Sequence, residues 1–169
     1  MKVLYSLIQN AGHSKKHLWL LNRLLNHQVR FNKPHGFQVI KLNEACAQTF
    51  APYHKKNFNH VRGIHACAIA TAGELAAGLA LMYHFSPKEY RVILSNLTTD
   101  YHYQAKKDIV ATAQLSPDEK SSIVHALQNE DKTLCTLTTD VKDSDHQLVA
   151  TVKSTWQIKP WGAVKLKPR

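Results

Sequence analysis

Glu74 is the one carboxylate in residues 68–83, a run that is otherwise almost wholly apolar and rich in Ala and Gly. Ionising an acid in such surroundings is costly without partners, so it is either held by a neighbouring Arg or His or placed there for chemistry. We read it as placed for chemistry. Just before the run stands Asn59-His60-Val61-Arg62-Gly63-Ile64-His65-Ala66-Cys67. His65 can hydrogen-bond the loop or position a ligand, and neither role requires it to titrate. Asn59 can satisfy the backbone groups of a turn or hold a water. Cys67 offers a thiol, but no base is fixed beside it, and a buried cysteine behaves as a small hydrophobe. Glu74 is therefore the leading candidate.

The elements that must position these residues follow from pattern. Residues 66–83 have no polar face, which predicts a helix of about 27 Å that needs cover all round. The length would suit a membrane span, but Glu74 sits in its middle and Ala and Gly dominate, so a buried helix and no membrane span are expected. A curved sheet could cover it. After the turn Lys33-Pro34-His35-Gly36, residues 37–42 alternate apolar and polar, and residues 46–53 can form a second strand. Further strands are expected over 90–96, 101–103, 108–115, 133–141 and 147–158, which are rich in β-branched and aromatic residues. Ser116-Pro117-Asp118-Glu119 marks a helix start, with Pro at the first helical position and acids in the first turn, and that helix should run to about Gln128. Leucines at helical spacing over 17–27, with Ser14 as N-cap, predict an N-terminal helix. The order is an α+β pattern. It divides the chain into a helical extension over 1–36, a main domain over 37–160 and a basic tail over 161–169.

The chain carries 22 Lys and Arg against 12 Asp and Glu, a formal +10 with pI near 9.6. Such a surface attracts anions. The cations are scattered as short pairs such as Lys15-Lys16, Lys55-Lys56 and Lys106-Lys107, without a helical or zinc-based nucleic-acid motif, so no nucleic acid partner is expected. Solvated surface or a phosphate-bearing ligand accounts for them. Cys46, Cys67 and Cys135 are odd in number and widely spaced, which fits neither a disulfide framework nor a metal site and points to a reducing, cytoplasmic compartment. The first residues lack the features of a signal peptide.

Asn59, Gly63-x-His65, an acid nine residues after that His, and the small run Ala76-Ala77-Gly78 together resemble the hot-dog fold thioesterases. The nearest types are those of the phenylacetate pathway and of 4-hydroxybenzoyl-coenzyme A hydrolysis, and an uncharacterised bacterial branch. In order of elements the likeness spans about residues 37–158, and its motif spans Asn59 to Gly78. It implies a long central helix wrapped by a curved antiparallel sheet, here with an additional N-terminal helix. It implies hydrolysis of an acyl-CoA or acyl-carrier thioester, with no cofactor other than the coenzyme A of the substrate. Glu74 would serve as general base or nucleophile, with Asn59 and His65 in the site and the backbone N–H groups of Ala66 and Cys67 as the oxyanion hole. Free N–H groups at a helix start suit that role. The family pattern has Gly-Gly where this chain has Ala66-Cys67, so the hole would be differently shaped.

Nine residues are two and a half helical turns, about 13 Å along the axis, too far for His65 and Glu74 to share one atom. The resemblance resolves this with a homodimer, alone or paired into a tetramer, in which one chain's helix start meets the other's acid. Lys55, Lys56, Arg62, Lys88, Arg91, Lys106 and Lys107 are candidates to hold the nucleotide phosphates. Two alternatives stand beside hydrolysis. His60 lies fourteen residues before Glu74, the spacing of the hot-dog dehydratases acting on 3-hydroxyacyl thioesters, although Val61-Arg62-Gly63-Ile64 replaces the Pro-rich turn that follows the dehydratase His. The other is a non-catalytic binder of acyl-CoA or acyl chains.

Overall fold

Leucines at helical spacing fold the start of the chain into helices, and residue alternation then turns it into sheet. The computed structural model describes residues 2–164. Lys165, Lys167 and Arg169 of the expected basic tail lie outside the described residues. Helices α1 (Lys2–Asn10) and α2 (Lys15–Gln28) pack together and are followed by the single turn α3 (Asn32–His35). Ser14 is the N-cap residue of α2, although its side chain makes no capping bond. Helix α1 is additional to the sequence reading. Nine residues are too few to hold a helix alone, and tertiary contact supplies the rest: Gln9 Nε2 donates to the Tyr83 carbonyl at 2.6 Å.

Strands β1 (Gln38–Leu42) and β2 (Ala47–Ala51) come next, then a 3₁₀ turn (Lys55–Asn57) and the long helix α4 (Ala66–His84). After it run β3 (Tyr90–Tyr101), β4 (Ile109–Ala113), α5 (Pro117–Asn129), β5 (Thr133–Asp143) and β6 (Leu148–Pro160). The six strands form one antiparallel sheet in the order β1-β2-β4-β5-β6-β3, with α4 packed against it. This is the hot-dog fold. Helix α5 begins as its sequence predicts, with a capping box between Ser116 and Glu119 and Pro117 in its first turn.

Residues 90–96 and 101–103 do not form two strands. One strand, β3, runs from Tyr90 to Tyr101, leaves His102 and Tyr103 outside it, and takes up a bulge at Ser95, where the register with β6 shifts between Leu94 and Asn96. The polar stretch Thr98-Thr99-Asp100 reads as a turn, but β6 pairs it with Lys153, Val152 and Thr151. A ladder partner overrides local preference here.

Small residues bring α4 close to the sheet. A Cβ on Gly73 would lie 2.6 Å from Val152 Cγ2, and one on Gly78 would lie 2.8 Å from Trp156 Cη2. Thr49 Oγ1, fully buried, donates to the Ala72 carbonyl at 2.6 Å. By length and apolarity α4 could cross a membrane, yet its buried residues, among them Ala72, Ala76, Leu79 and Leu81, lie in the core with the sheet. The expectation that the helix is covered all round needs correcting. Cys67 is exposed, and Ala70, Thr71, Glu74 and Leu75 are only partly covered, because the sheet wraps one side and stops at β3.

The two sheet edges are treated differently. At β1, Asn22 of α2 exchanges two hydrogen bonds with Val39, accepting from its N–H at 2.7 Å and donating to its carbonyl at 2.8 Å. That occupies part of the outer edge of β1. Strand β3 ends the order, with no further strand beside it among the described residues.

Candidate active site

The segment leading into α4 is fixed by its own polar groups. Buried Asn57 donates from Nδ2 to the carbonyls of His35 and Pro52, at 2.9 and 2.8 Å, and its Oδ1 lies 2.9 Å from His35 Nδ1. Its carbonyl accepts the His65 N–H at 2.7 Å, and Ile64 N–H donates to Ala105 at 2.8 Å. Asn59 closes the turn between them: its Oδ1 accepts from the N–H groups of Val61 and Gly63 at 3.1 and 2.8 Å. Arg62 takes a left-handed conformation there, φ 58°, and its carbonyl accepts from the Tyr53 hydroxyl at 2.7 Å. Asn59 Oδ1 thus holds the loop. Asn57, which no spacing singles out, anchors it.

His65 is the N-cap of α4, and its Nδ1 accepts the Cys67 N–H at 3.1 Å. Of the two amides in the oxyanion pair, the Cys67 group therefore has an internal acceptor, while the Ala66 N–H makes no backbone or side-chain bond among the described residues. The Ala66 carbonyl accepts from the Tyr101 hydroxyl at 3.0 Å, so the end of β3 is tied to the first turn of α4. Tyr101 is a site residue the sequence reading missed, since only the sheet brings it there; burial pushes its hydroxyl pKa up. Cys67 is exposed rather than buried, whereas Cys46 and Cys135 are buried. Burial pushes the Cys135 thiol up to about 11, so it stays protonated.

Glu74 lies two turns further along α4, on its partly covered flank. Among the described residues it forms no ion pair or hydrogen bond, and burial raises its carboxyl above the ordinary carboxylate value. The reading of a tied-down acid finds no partner for it. The face beside it is set by register. Val152 meets α4 at Gly73, and Thr99, Leu97 and Tyr101 pair with Val152, Ser154 and Ala150. Paired residues share a face of the sheet, so Leu97, Thr99 and Tyr101 point to the helix side. Leu97 is 37% exposed and Tyr101 50%. The open flank of α4 and the end of β3 thus form one surface containing Glu74, Leu97 and Tyr101.

One chain does not bring the predicted residues to a single point. Glu74 is eight residues beyond Ala66, about 12 Å along the helix. His60 is exposed in the turn and has no hydrogen bond or ion pair to Glu74. Beside the α4 start is a cavity of about 190 Å³ whose walls include Phe31, Phe37, Phe58, His65 and Cys67. Several candidate phosphate ligands have internal partners: Lys107 with Asp145, Arg91 with Gln157 at 3.1 Å, and Lys88 over the Tyr5 ring at 4.9 Å. Among the described residues no group of three His, Cys, Asp or Glu is placed to hold a metal ion.

Comparison with known proteins agrees with this geometry at the level of fold. The family model described as "Domain of unknown function (DUF4442)" matches residues 18–158. A Pseudomonas aeruginosa protein of unknown function, described as a probable thioesterase, superposes with TM-score 0.77 at 21% identity, over 83% of this chain and 94% of that one. A Chlorobaculum tepidum protein of unknown function gives 0.73 at 11% identity, over 89% and 99%. A Haemophilus influenzae thioesterase gives 0.66 at 11% identity, over 85% and 90%. No curated protein matches the sequence.

Proposed function

The chain belongs to the DUF4442 family, and from its hot-dog frame we propose that it hydrolyses acyl thioesters, acyl-CoA or acyl-carrier, as a homodimer with Glu74 in the reacting role. The observation that carries the reading is Glu74 itself. It is an acid without a partner among the described residues, raised by burial, on a flank of α4 that its own sheet leaves partly uncovered. A structural acid would have been paired, because an isolated carboxylate away from water is costly. Thioesterases among the structural neighbours support the same reaction class.

The dimer follows from what the single chain lacks. A twofold axis beside β3 would cover Leu97 and Tyr101 and bring the α4 start of one chain toward Glu74 of the other. The twelve-residue edge of β3 is long enough to pair with its own copy. In the general-base form, a water proton moves to the Glu74 carboxylate as the water oxygen bonds to the thioester carbon. The carbonyl electron pair moves onto oxygen, toward the Ala66 N–H. Collapse breaks the carbon–sulfur bond, and the leaving sulfur takes the proton from Glu74. In the nucleophilic form, a Glu74 carboxylate oxygen bonds to the carbon, the carbon–sulfur bond breaks and the thiolate leaves; water then attacks the Glu74 carbonyl of the anhydride, which frees the acyl group as a carboxylate and restores Glu74.

The test is release of free thiol from a panel of acyl-CoA substrates by the wild type and by Glu74→Ala. Loss of release in the variant supports the assignment, and unchanged turnover refutes it. Tight acyl-CoA binding without turnover would favour the binding-protein alternative. Single-turnover hydrolysis in ¹⁸O-labelled water, with the label sought in Glu74, separates the general base from the nucleophile.

A further inference from the structure

The positive charge is unevenly placed along the chain. Residues 1–73 hold ten Lys and Arg and one acid, Glu44, whereas residues 74–169 hold twelve and eleven. Nearly all of the net charge thus belongs to the N-terminal helices, the first two strands and the loop before α4. A surface groove of about 880 Å³ gathers it, walled by Arg23 and His27 of α2, Arg30 just beyond it, Lys33 of α3 and Lys56 of the 3₁₀ turn. No acid lines the groove, and none of these cations is in an ion pair among the described residues. The Arg23 guanidinium lies over the Trp19 ring at 5.0 Å, which orients it without neutralising it. Cations converging from three elements repel one another unless an anion lies among them.

Lys56 also lines the 190 Å³ cavity walled by Phe31, Phe37 and Phe58, which reaches His65 and Cys67 at the α4 start. A basic depression therefore adjoins an apolar one that reaches the first turn of α4. The first has the volume of a ligand site, commonly about 300–1,000 Å³, and offers two guanidinium forks suited to phosphate oxygens.

Building on the thioesterase reading, we infer that this groove binds the 3′-phosphorylated adenosine diphosphate end of coenzyme A, with the pantetheine arm passing Lys56 into the Phe-lined cavity toward the α4 amides. An acidic protein docks on a broad face rather than in a depression, and an isolated phosphate has no use for the apolar cavity beyond. The ligand this pair of sites fits is charged at one end and uncharged along the rest. The N-terminal helices thereby become part of the substrate site, and three of its four Lys and Arg side chains, Arg23, Arg30 and Lys33, differ from those that flank the motif.

The probes are coenzyme A, dephospho-coenzyme A and adenosine 3′,5′-diphosphate, titrated calorimetrically into wild type, Arg30→Glu/Lys33→Glu and Arg23→Ala/Lys56→Ala. All four side chains are exposed, and circular dichroism with thermal melts confirms folding of each variant. Coenzyme A should bind at least about tenfold more weakly to the variants, and wild-type binding should weaken with salt. In turnover, the variants should show a raised KM for acyl-CoA, and Arg30→Glu/Lys33→Glu, which leaves the pantetheine path intact, should keep wild-type rates on acyl-pantetheine, which has no nucleotide. Unchanged coenzyme A affinity in both variants overturns the inference, as does an equal loss on acyl-pantetheine in Arg30→Glu/Lys33→Glu. Loss confined to acyl-carrier-protein thioesters, with coenzyme A binding intact, also overturns it by assigning the groove to a protein partner. If no thioester is hydrolysed but coenzyme A binds through these cations, the groove stands and the hydrolase reading falls. If wild type hydrolyses acyl-CoA and the variants match it, the reverse holds.

Discussion

At the scale of the residue, Glu74 sets opposing demands on stability and activity. Its folded value is raised, so between the ordinary carboxylate value and the raised one the folded chain binds more protons than the unfolded chain. Stability is greatest below that window and falls as pH rises through it. Glu74→Gln removes the fall. Thermal melts should show the variant more stable than wild type at neutral pH and level with it below the window. Thioester turnover in the same variant should drop by about 10²–10⁴-fold, the usual contribution of a positioned base. The acid limb of the wild-type pH–rate profile should lie above the ordinary carboxylate range, since Glu74 acts only when ionised. Cys67→Ala should retain kcat, because the thiol is exposed and the cap at this position is made by its amide to His65. A thiol-dependent reaction would show itself by loss of turnover in that variant.

At the scale of the element, the central helix is placed by residues that lack side chains. In an isolated helix Gly→Ala gains about 1 kcal/mol. At Gly73 the new methyl would stand 2.7 Å from Val152 Cβ, an atom that cannot swing away. Overpacking of this kind costs about 1–3 kcal/mol, so Gly73→Ala should lower the urea midpoint although propensity alone favours it. At the β1 edge of the sheet, Asn22→Ala removes two bonds to Val39. Two lost hydrogen bonds are worth about 1–3 kcal/mol. Hydrogen exchange should show β1 and α2 opening together in that variant, while β5 and β6 stay protected. Types of element were legible in the sequence wherever a pattern was strong: the leucine repeat of α2, the Ser-Pro-Asp-Glu start of α5, and the unbroken apolar run of α4. Helix α1 and the second half of β3 were not, because one is held by docking onto Tyr83 and the other by the β6 ladder.

At the scale of the whole molecule, the two sheet edges differ in a way that bears on assembly. One is partly occupied by Asn22, and the other, β3, lies beside the open flank of α4. Leu97→Asp places a charge on that flank at a side chain already 37% exposed, so the single chain should still fold. Light scattering should find wild type dimeric and the variant monomeric, and thiol release should fall with the dimer. A variant that remains dimeric and active would remove β3 from the interface, and a monomeric, active wild type would remove the need for a shared site.

The sequence by itself determined the α+β class, the long helix with its single acid, and the approach through Asn59, Gly63 and His65, because these depend on residue type and near spacing. Only the tertiary structure decided that the helix is wrapped on one side, that Tyr101 reaches the Ala66 carbonyl, and that the Cys67 amide is taken by His65. It also gathered Arg23, Arg30, Lys33 and Lys56 into one groove from places that look scattered along the chain. The physical reason is common to all of these. Hydropathy and caps act over a few residues and can be read locally, whereas burial, hydrogen-bond competition and charge convergence depend on which distant segments the sheet and helices bring within a few ångströms.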